Sequence, residues 1–266
     1  MSIFERDAMS PRRFKTTRTI MALVLREMST SYGRSPGGYL WAILEPAGAI
    51  LMLSLGFSLF LRDPPLGSSF LLFFATGFLP FGMYNSLNTK VSRALNFSRP
   101  LLSYPGVTYT DAILARFLLD VLTQVMVFYA VITGVLIFQD TGAILDFPPI
   151  LIGLLMAALL GLGIGVMNCF LIGVFPVWAQ IWSIATRPLF FVSGVFFTLE
   201  DMPSQLQDIL WFNPLMHVTG LVRRGFYSTY GADYVSLVFG FGVGAVLLAL
   251  GLVFLGRYHR DILTNN

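Results

Sequence analysis

The sequence predicts an all-α integral membrane protein, and three observations carry that prediction. Of its 266 residues 56% are hydrophobic and only 12% are charged, roughly half the charged share of an ordinary soluble domain. A soluble domain of this size has too little interior for so much apolar sequence. The apolar residues also gather into runs long enough, at about 1.5 Å per helical residue, to cross a hydrocarbon layer about 30 Å thick. Finally, lysine and arginine are sorted between the connections, which a membrane topology requires and a soluble fold does not.

The elements follow in chain order. The start, MSIFERDAMSPRRFKTTR, is polar and mixed in charge, so no cleavable signal peptide is expected. Over residues 11–32 the spacing predicts an amphipathic helix. Phe14, Met21, Leu25, Met28 and Tyr32 share one face, and Arg12, Lys15, Thr19, Arg26 and Thr30 the other. Such a helix lies in the headgroup plane or packs on a partner subunit. Gly33 and the pair Gly37-Gly38 then let the chain turn into the membrane.

Six spans are expected, at 39–61, 70–89, 112–138, 148–175, 178–198 and 234–256. Lysine and arginine number seven in residues 1–38, four in 90–116 and two after Gly256. The other side holds Arg62, Arg223 and Arg224, together with seven of the fourteen acidic residues. By the positive-inside rule both termini and the connection after span two are cytoplasmic. Span four contains Gly161, Gly163 and Gly165, and span six Gly240, Gly242 and Gly244. That small-residue spacing lets helix backbones approach, within one subunit or between two.

Two connections stand apart. Residues 90–111 carry Arg93 and Arg99, and Pro100, Pro105 and Gly106 rule out one continuous helix. A short element with apolar Leu101, Leu102 and Tyr104 would project into the cytoplasm, as a connector or as a docking helix for a soluble partner. Residues 178–230 are the second. The run WAQIWSIATRPLFFVSGVFFTL carries Arg187, and an arginine inside a span costs about 2.5–3.5 kcal/mol on insertion scales, so it faces protein or a wet path. Residues 200–230 are half apolar and broken at Asn213-Pro214, which predicts a re-entrant hairpin on the outer side with Arg223 and Arg224 near its mouth.

No catalytic set appears in the sequence. There is no GxxxxGK[ST] loop, so ATP hydrolysis is not expected of this chain. His217 and His259 lack metal-ligand spacing to each other or to Cys169, so no metal and no bound cofactor are expected. His217 either completes a hydrogen-bond network or transfers a proton. Cys169, alone in an apolar run, is read as a packing residue. The net charge of +3 is too small to imply a nucleic-acid partner. Glu45, Arg116 and Asp120 lie near cytoplasmic ends of their spans, where snorkelling or local pairing accounts for them.

The words YGRSPGGYLWAILEP (Tyr32–Pro46), RPLFFVSGVFF (Arg187–Phe197) and NPLMHVTGLVRRGFY (Asn213–Tyr227), in this order of elements, carry a resemblance. The chain resembles the permease subunit of ABC polysaccharide exporters, and most of all the capsular polysaccharide permease. The resemblance implies a single transmembrane domain over residues 1–266, acting as a homodimer in the bacterial inner membrane. It implies two copies of a cytoplasmic ATPase that bind ATP and Mg, and a periplasmic adaptor anchored in the inner membrane. The substrate it implies is a polysaccharide on a glycolipid end; O-antigen or teichoic-acid export is the alternative, and a lipid-modifying enzyme the alternative from another class. On that reading Arg93, Arg99, Leu101, Leu102 and Tyr104 couple to the ATPase. Asn213, Pro214, His217, Arg223 and Arg224 form a periplasmic gate. Arg187, Glu45, Phe73, Phe81, Tyr84, Phe190 and Phe191 line the path, aromatic faces stacking on sugar C–H surfaces. Arg187 either attracts an acidic polysaccharide or lipid phosphate, or pairs with Glu45.

Overall fold

The computed structural model describes residues 15–31, 37–102, 106–139, 142 and 144–265. Among these there are ten α-helices, one 3-10 turn and no strand. Arg12, Phe14, Tyr32 and Tyr104 lie outside the described residues.

Helix α1 (Lys15–Ser31) rests on α5. Met21, Leu25 and Met28 point away from the bundle, while Glu27 on the opposite side is buried. The face that reads as apolar is therefore the outward one. α2 (Gly38–Ser58) is apolar along its length but buries only Ile50. α3 (Phe70–Ser92) starts where the Ser69 hydroxyl accepts from Leu72 N, and it buries fifteen of its 23 residues. It is the core helix, packed by α2, α5, α6 and α9. After a break at Arg93 the chain continues as α4 (Ala94–Leu102).

A capping box between Thr108 and Asp111 opens α5 (Tyr109–Phe138). α6 (Phe147–Val174) follows, with proline at its start. Its glycines serve two neighbours: Gly161 and Gly165 face Leu87 and Val91 of α3, and Gly163 faces α10 (Leu237–Asn265). A Cβ at Gly163 would overlap the carbonyl oxygen of Gly244, so the two backbones meet directly. These glycines pack helices within one subunit.

The fifth apolar run departs from expectation. Helix α7 covers only Trp178–Val192, fifteen residues or about 22 Å, and stops six residues before Thr198. Gly194 adopts φ 72°, in the left-handed region that ends a helix. The chain then turns over residues 193–197 into a 3-10 turn, Leu199–Asp201. Among the described residues five helical stretches are long and apolar enough to cross a membrane, beginning at Gly38, Phe70, Tyr109, Phe147 and Leu237; α7 is not among them.

The chain between α7 and α10 forms two short helices, α8 (Ser204–Trp211) and α9 (Pro214–Arg224). They meet at Asn213, whose side chain caps α9 by accepting from Leu215 N, with Pro214 in the first turn. α8 buries none of its residues, whereas α9 buries nine of eleven against α3, α6 and α10. The bundle thus has a basic end, where α3, α4, α5 and the end of α10 meet, and an acidic end around residues 199–234.

Candidate functional site

Two clefts flank the basic half of α3. One, about 640 Å³, lies between α2, α3 and α5 and is lined by Trp41, Glu45, Phe78, Asn85 and Gln124. The other, about 810 Å³, lies between α3, α4, α6 and α7 and is lined by Asn88, Lys90, Arg93, Arg116, Trp182 and Thr186. Asn85, Thr89 and Lys90 border both. Asn85 and Thr89 are exposed although they stand on the most buried of the membrane-length helices described. Together with Gly82, beside which nothing lies within 4 Å of a built Cβ, they form the floor of one groove walled by α2 and α7. Exposed amide and hydroxyl groups one helical turn apart are poor lipid ligands and good partners for sugar hydroxyls.

The basic end is tied together by Arg116. Its Nη1 donates to the Lys90 carbonyl at 3.0 Å, its guanidinium lies 3.9 Å from the centroid of Phe97 on α4, and it forms an ion pair with Glu27 of α1. Burial pushes the Glu27 carboxyl above its ordinary value, while Arg116, Lys90 and Arg26 pull it down. Lys90 pairs with Asp120, which also accepts from the Ser86 hydroxyl at 3.1 Å. One residue of α5 therefore contacts α1, α3 and α4. At the start of α7, Trp178 Nε1 donates to Asn168 Oδ1 at 2.9 Å, and Asn168 Nδ2 donates to Asn88 Oδ1 at 3.0 Å.

At the acidic end α9 holds the turn after α7. Arg223 is 1% exposed; it donates from Nη1 to Phe197 O at 2.8 Å and from Nη2 to Val195 O at 3.1 Å. Its guanidinium sits 4.1 Å from the centroid of Phe73. Asn213 Nδ2 donates to Val192 O at 2.9 Å, and the Thr219 hydroxyl to Ser193 O at 3.1 Å. His217 is buried, with Nε2 against Trp211 O at 2.8 Å and Nδ1 accepting from Ser236 N at 3.1 Å. Burial pushes its pKa below the ordinary value, against the pull of the Trp211 carbonyl. His217 completes a hydrogen-bond network joining α9 to the end of α8 and to Ser236, just ahead of α10.

The residues expected in the site separate accordingly. Phe73 and Tyr84 are sealed inside the subunit, Phe73 beneath Arg223, so both pack the core rather than face an open path in this conformation. Phe81 is buried too, its ring tilted against half-buried Phe190 at 5.1 Å, while Phe191 is exposed. Glu45 and Arg187 are both exposed, on opposite walls, and do not pair with each other within the chain among the described residues. Arg223 is a buried clamp rather than a mouth residue; Arg224 beside it is exposed. Arg93 is exposed, Leu101 and Leu102 are half-buried, and Arg99 donates to Leu263 O at 2.9 Å. Sequence reasoning missed Asn85, Thr89 and the Glu27–Arg116 pair. Two polar residues four apart near the end of an apolar span were the available signal.

The profile of the ABC-2 type transporter family matches residues 18–227, which include both clefts and the α9 clamp. The chain belongs to the ABC-2 type transporter family. The chain is 31% identical to the polysialic acid transport protein KpsM of Escherichia coli, over 93% of this chain and 96% of that one. It is 27% identical to the capsule polysaccharide export inner-membrane protein CtrC of Neisseria meningitidis serogroup A, over 92% of each. A third relative, the capsule polysaccharide export inner-membrane protein BexB of Haemophilus influenzae, is 28% identical over 92% of each chain.

Proposed function

We propose that this chain is the permease subunit of an ATP-driven exporter that moves glycolipid-linked capsular polysaccharide from cytoplasm to periplasm across the bacterial inner membrane. The observation that carries the reading is likeness along nearly the full length to transport proteins named for polysialic acid and capsule polysaccharide. The groove fits that cargo. Its floor offers Asn85 and Thr89 as hydrogen-bonding groups, and its walls offer the indole and phenyl faces of Trp41, Trp182 and Phe190, which stack on sugar C–H surfaces without fixing a register.

In this proposal α7, with the turn after it, is the fifth of six spans, and both termini are cytoplasmic. The basic end then faces the cytoplasm, and α8–α9 form a re-entrant periplasmic hairpin in which Asn213, Pro214, His217, Arg223 and Arg224 make the gate. Two copies of the chain act with two copies of a separate ATPase that binds ATP and Mg, and with a periplasmic adaptor. The ATPase meets α4 and its flanks through Arg93, Arg99, Leu101, Leu102 and Tyr104. Arg116 links α4 to α1, α3 and α5, so a push on α4 is passed into the bundle. Glu45, Arg187, Phe81, Phe190 and Phe191 border the path.

The test is co-purification with the cognate nucleotide-binding subunit and reconstitution into vesicles. ATP hydrolysis that rises with capsular glycolipid, together with its ATP-dependent passage across the vesicle wall, is the expected result. Turnover of a lipid by the purified chain without any ATPase would overturn the proposal.

A further inference from the structure

Helix α7 is fifteen residues long and buries none of them, and α2 buries only Ile50. Lipid can cover their apolar side chains but not the two charges they carry. On α2 an outward stripe reads Trp41, Glu45, Met52 and Leu55, all exposed, with half-buried Gly48 between them, spaced by alternating fours and threes, the pattern of a helix–helix seam. Nothing lies within 4 Å of a Cβ built on Gly48, so a second backbone has room to approach there. On α7 the corresponding stripe reads Gln180, Ile184, Arg187 and Phe191. Each stripe carries a single charge, and the two are opposite.

The two charges also stand at comparable distances from the basic end. Glu45 is the eighth residue of α2 and Arg187 the tenth of α7, about 10 and 14 Å along their axes. Both helices start at that end, Gly38 in the cleft with Lys90 and Trp178 bonded through Asn168 to Asn88. A two-fold axis along the membrane normal keeps depth and makes the contact self-complementary, so each interface residue is used twice. We infer that Glu45 of one copy pairs with Arg187 of a second copy, and Arg187 of the first with Glu45 of the second, so that α2 and α7 close two facing grooves into one conduit. The inference builds on the proposed homodimer and adds its seam. The α3 floor, with Asn85 and Thr89 exposed on a helix that is otherwise largely buried, is incomplete without the opposing copy. The paired charges stand at the edge of the conduit, within reach of passing acidic sugars.

Two differently tagged copies of the full chain, both with Cys169→Ala, test the seam in bacterial membranes. One carries Glu45→Cys and the other Arg187→Cys. Because an arginine–glutamate pair holds its Cα atoms beyond disulfide reach, a short bismaleimide that joins two thiols is used, and it is expected to give a cross-linked product bearing both tags. Copies that co-purify without that cross-link, or a cross-link formed only within a chain carrying both cysteines, would overturn the inference. Charge reversal gives an independent reading. Glu45→Arg alone or Arg187→Glu alone is expected to lower co-purification of the two tags by about tenfold or more, and the chain carrying both reversals to restore it. Single reversals that associate like the parent also overturn it. Neither readout needs substrate. A formed seam without polysaccharide export counts against the proposed cargo alone, and export without the seam counts against the pairing alone.

Discussion

Arg223 shows what a single residue holds in this fold. A fully buried guanidinium that forks onto the carbonyls of Val195 and Phe197 and lies on the Phe73 ring keeps the turn after α7 in place, while Asn213 donates to the Val192 carbonyl at the helix end itself. Hydrogen bonds from a charged donor contribute about 1.5–3 kcal/mol each, and a stripped buried carbonyl adds its own desolvation cost. Arg223→Ala should therefore lower stability by about 3 kcal/mol or more, measured by thermal unfolding of the detergent-purified protein. Arg223→Lys should recover only part, because a point charge cannot reproduce the fork.

His217 gives a pH signature. Its neutral ring donates at Nε2 and accepts at Nδ1, and a proton on Nδ1 would face the Ser236 N–H. The folded-state pKa lies below the ordinary value of about 6.5. The unfolded chain thus binds the proton first as pH falls, and the stability this site contributes is full above about pH 6.5 and lost below it. The melting temperature should drop from pH 7 toward pH 5, and His217→Gln should flatten that slope. A slope unchanged in the variant would assign the effect to other groups.

At the scale of elements, the contact between α6 and α10 is made by backbone. Gly163→Ala places a methyl group against the Gly244 carbonyl, with no flexible side chain to yield, and overpacking of this kind costs about 1–3 kcal/mol. Gly242→Ala, two residues along on α10, meets nothing within 4 Å and should stay within about 0.5 kcal/mol of the parent. A thermal shift at both positions, or at neither, would contradict the contact. This contact was legible in the sequence, because small residues in an apolar run have few other uses. The length of α7 was not. The string from Trp178 to Thr198 is apolar throughout, and hydropathy cannot distinguish a helix from a helix followed by a turn; only Ser193-Gly194 marked the stop.

For the whole molecule, the class, the order of elements and the two-helix form of residues 204–224 could be read from composition, charge and Asn213-Pro214. The site was less legible. A phenylalanine in a span reads the same whether it meets lipid, core or lumen, and only its neighbours assign Phe73 and Tyr84 to the interior and leave Phe191 outside. The polar residues that do face the groove, Asn85 and Thr89, are ordinary in sequence and informative only once α3 is seen to be buried around them. Orientation is a prediction of the same scale. Single cysteines in the Cys169→Ala background should label from the periplasm at Asp201 and only from the cytoplasm at Arg257, read with an impermeant maleimide; the reverse pattern would invert the topology.

The uneven burial of α3, α2 and α7 has a mechanical consequence. α3 is a fixed keel, whereas α2 and α7 hang beside it with one buried side chain and none. In the proposed dimer the two walls are held by the opposing copy more than by their own core, so a shift of one copy against the other would move α2 and α7 while α3 stays packed. In the proposed exporter a polymer of varied girth would then meet a constant floor between sides set by how the two copies sit.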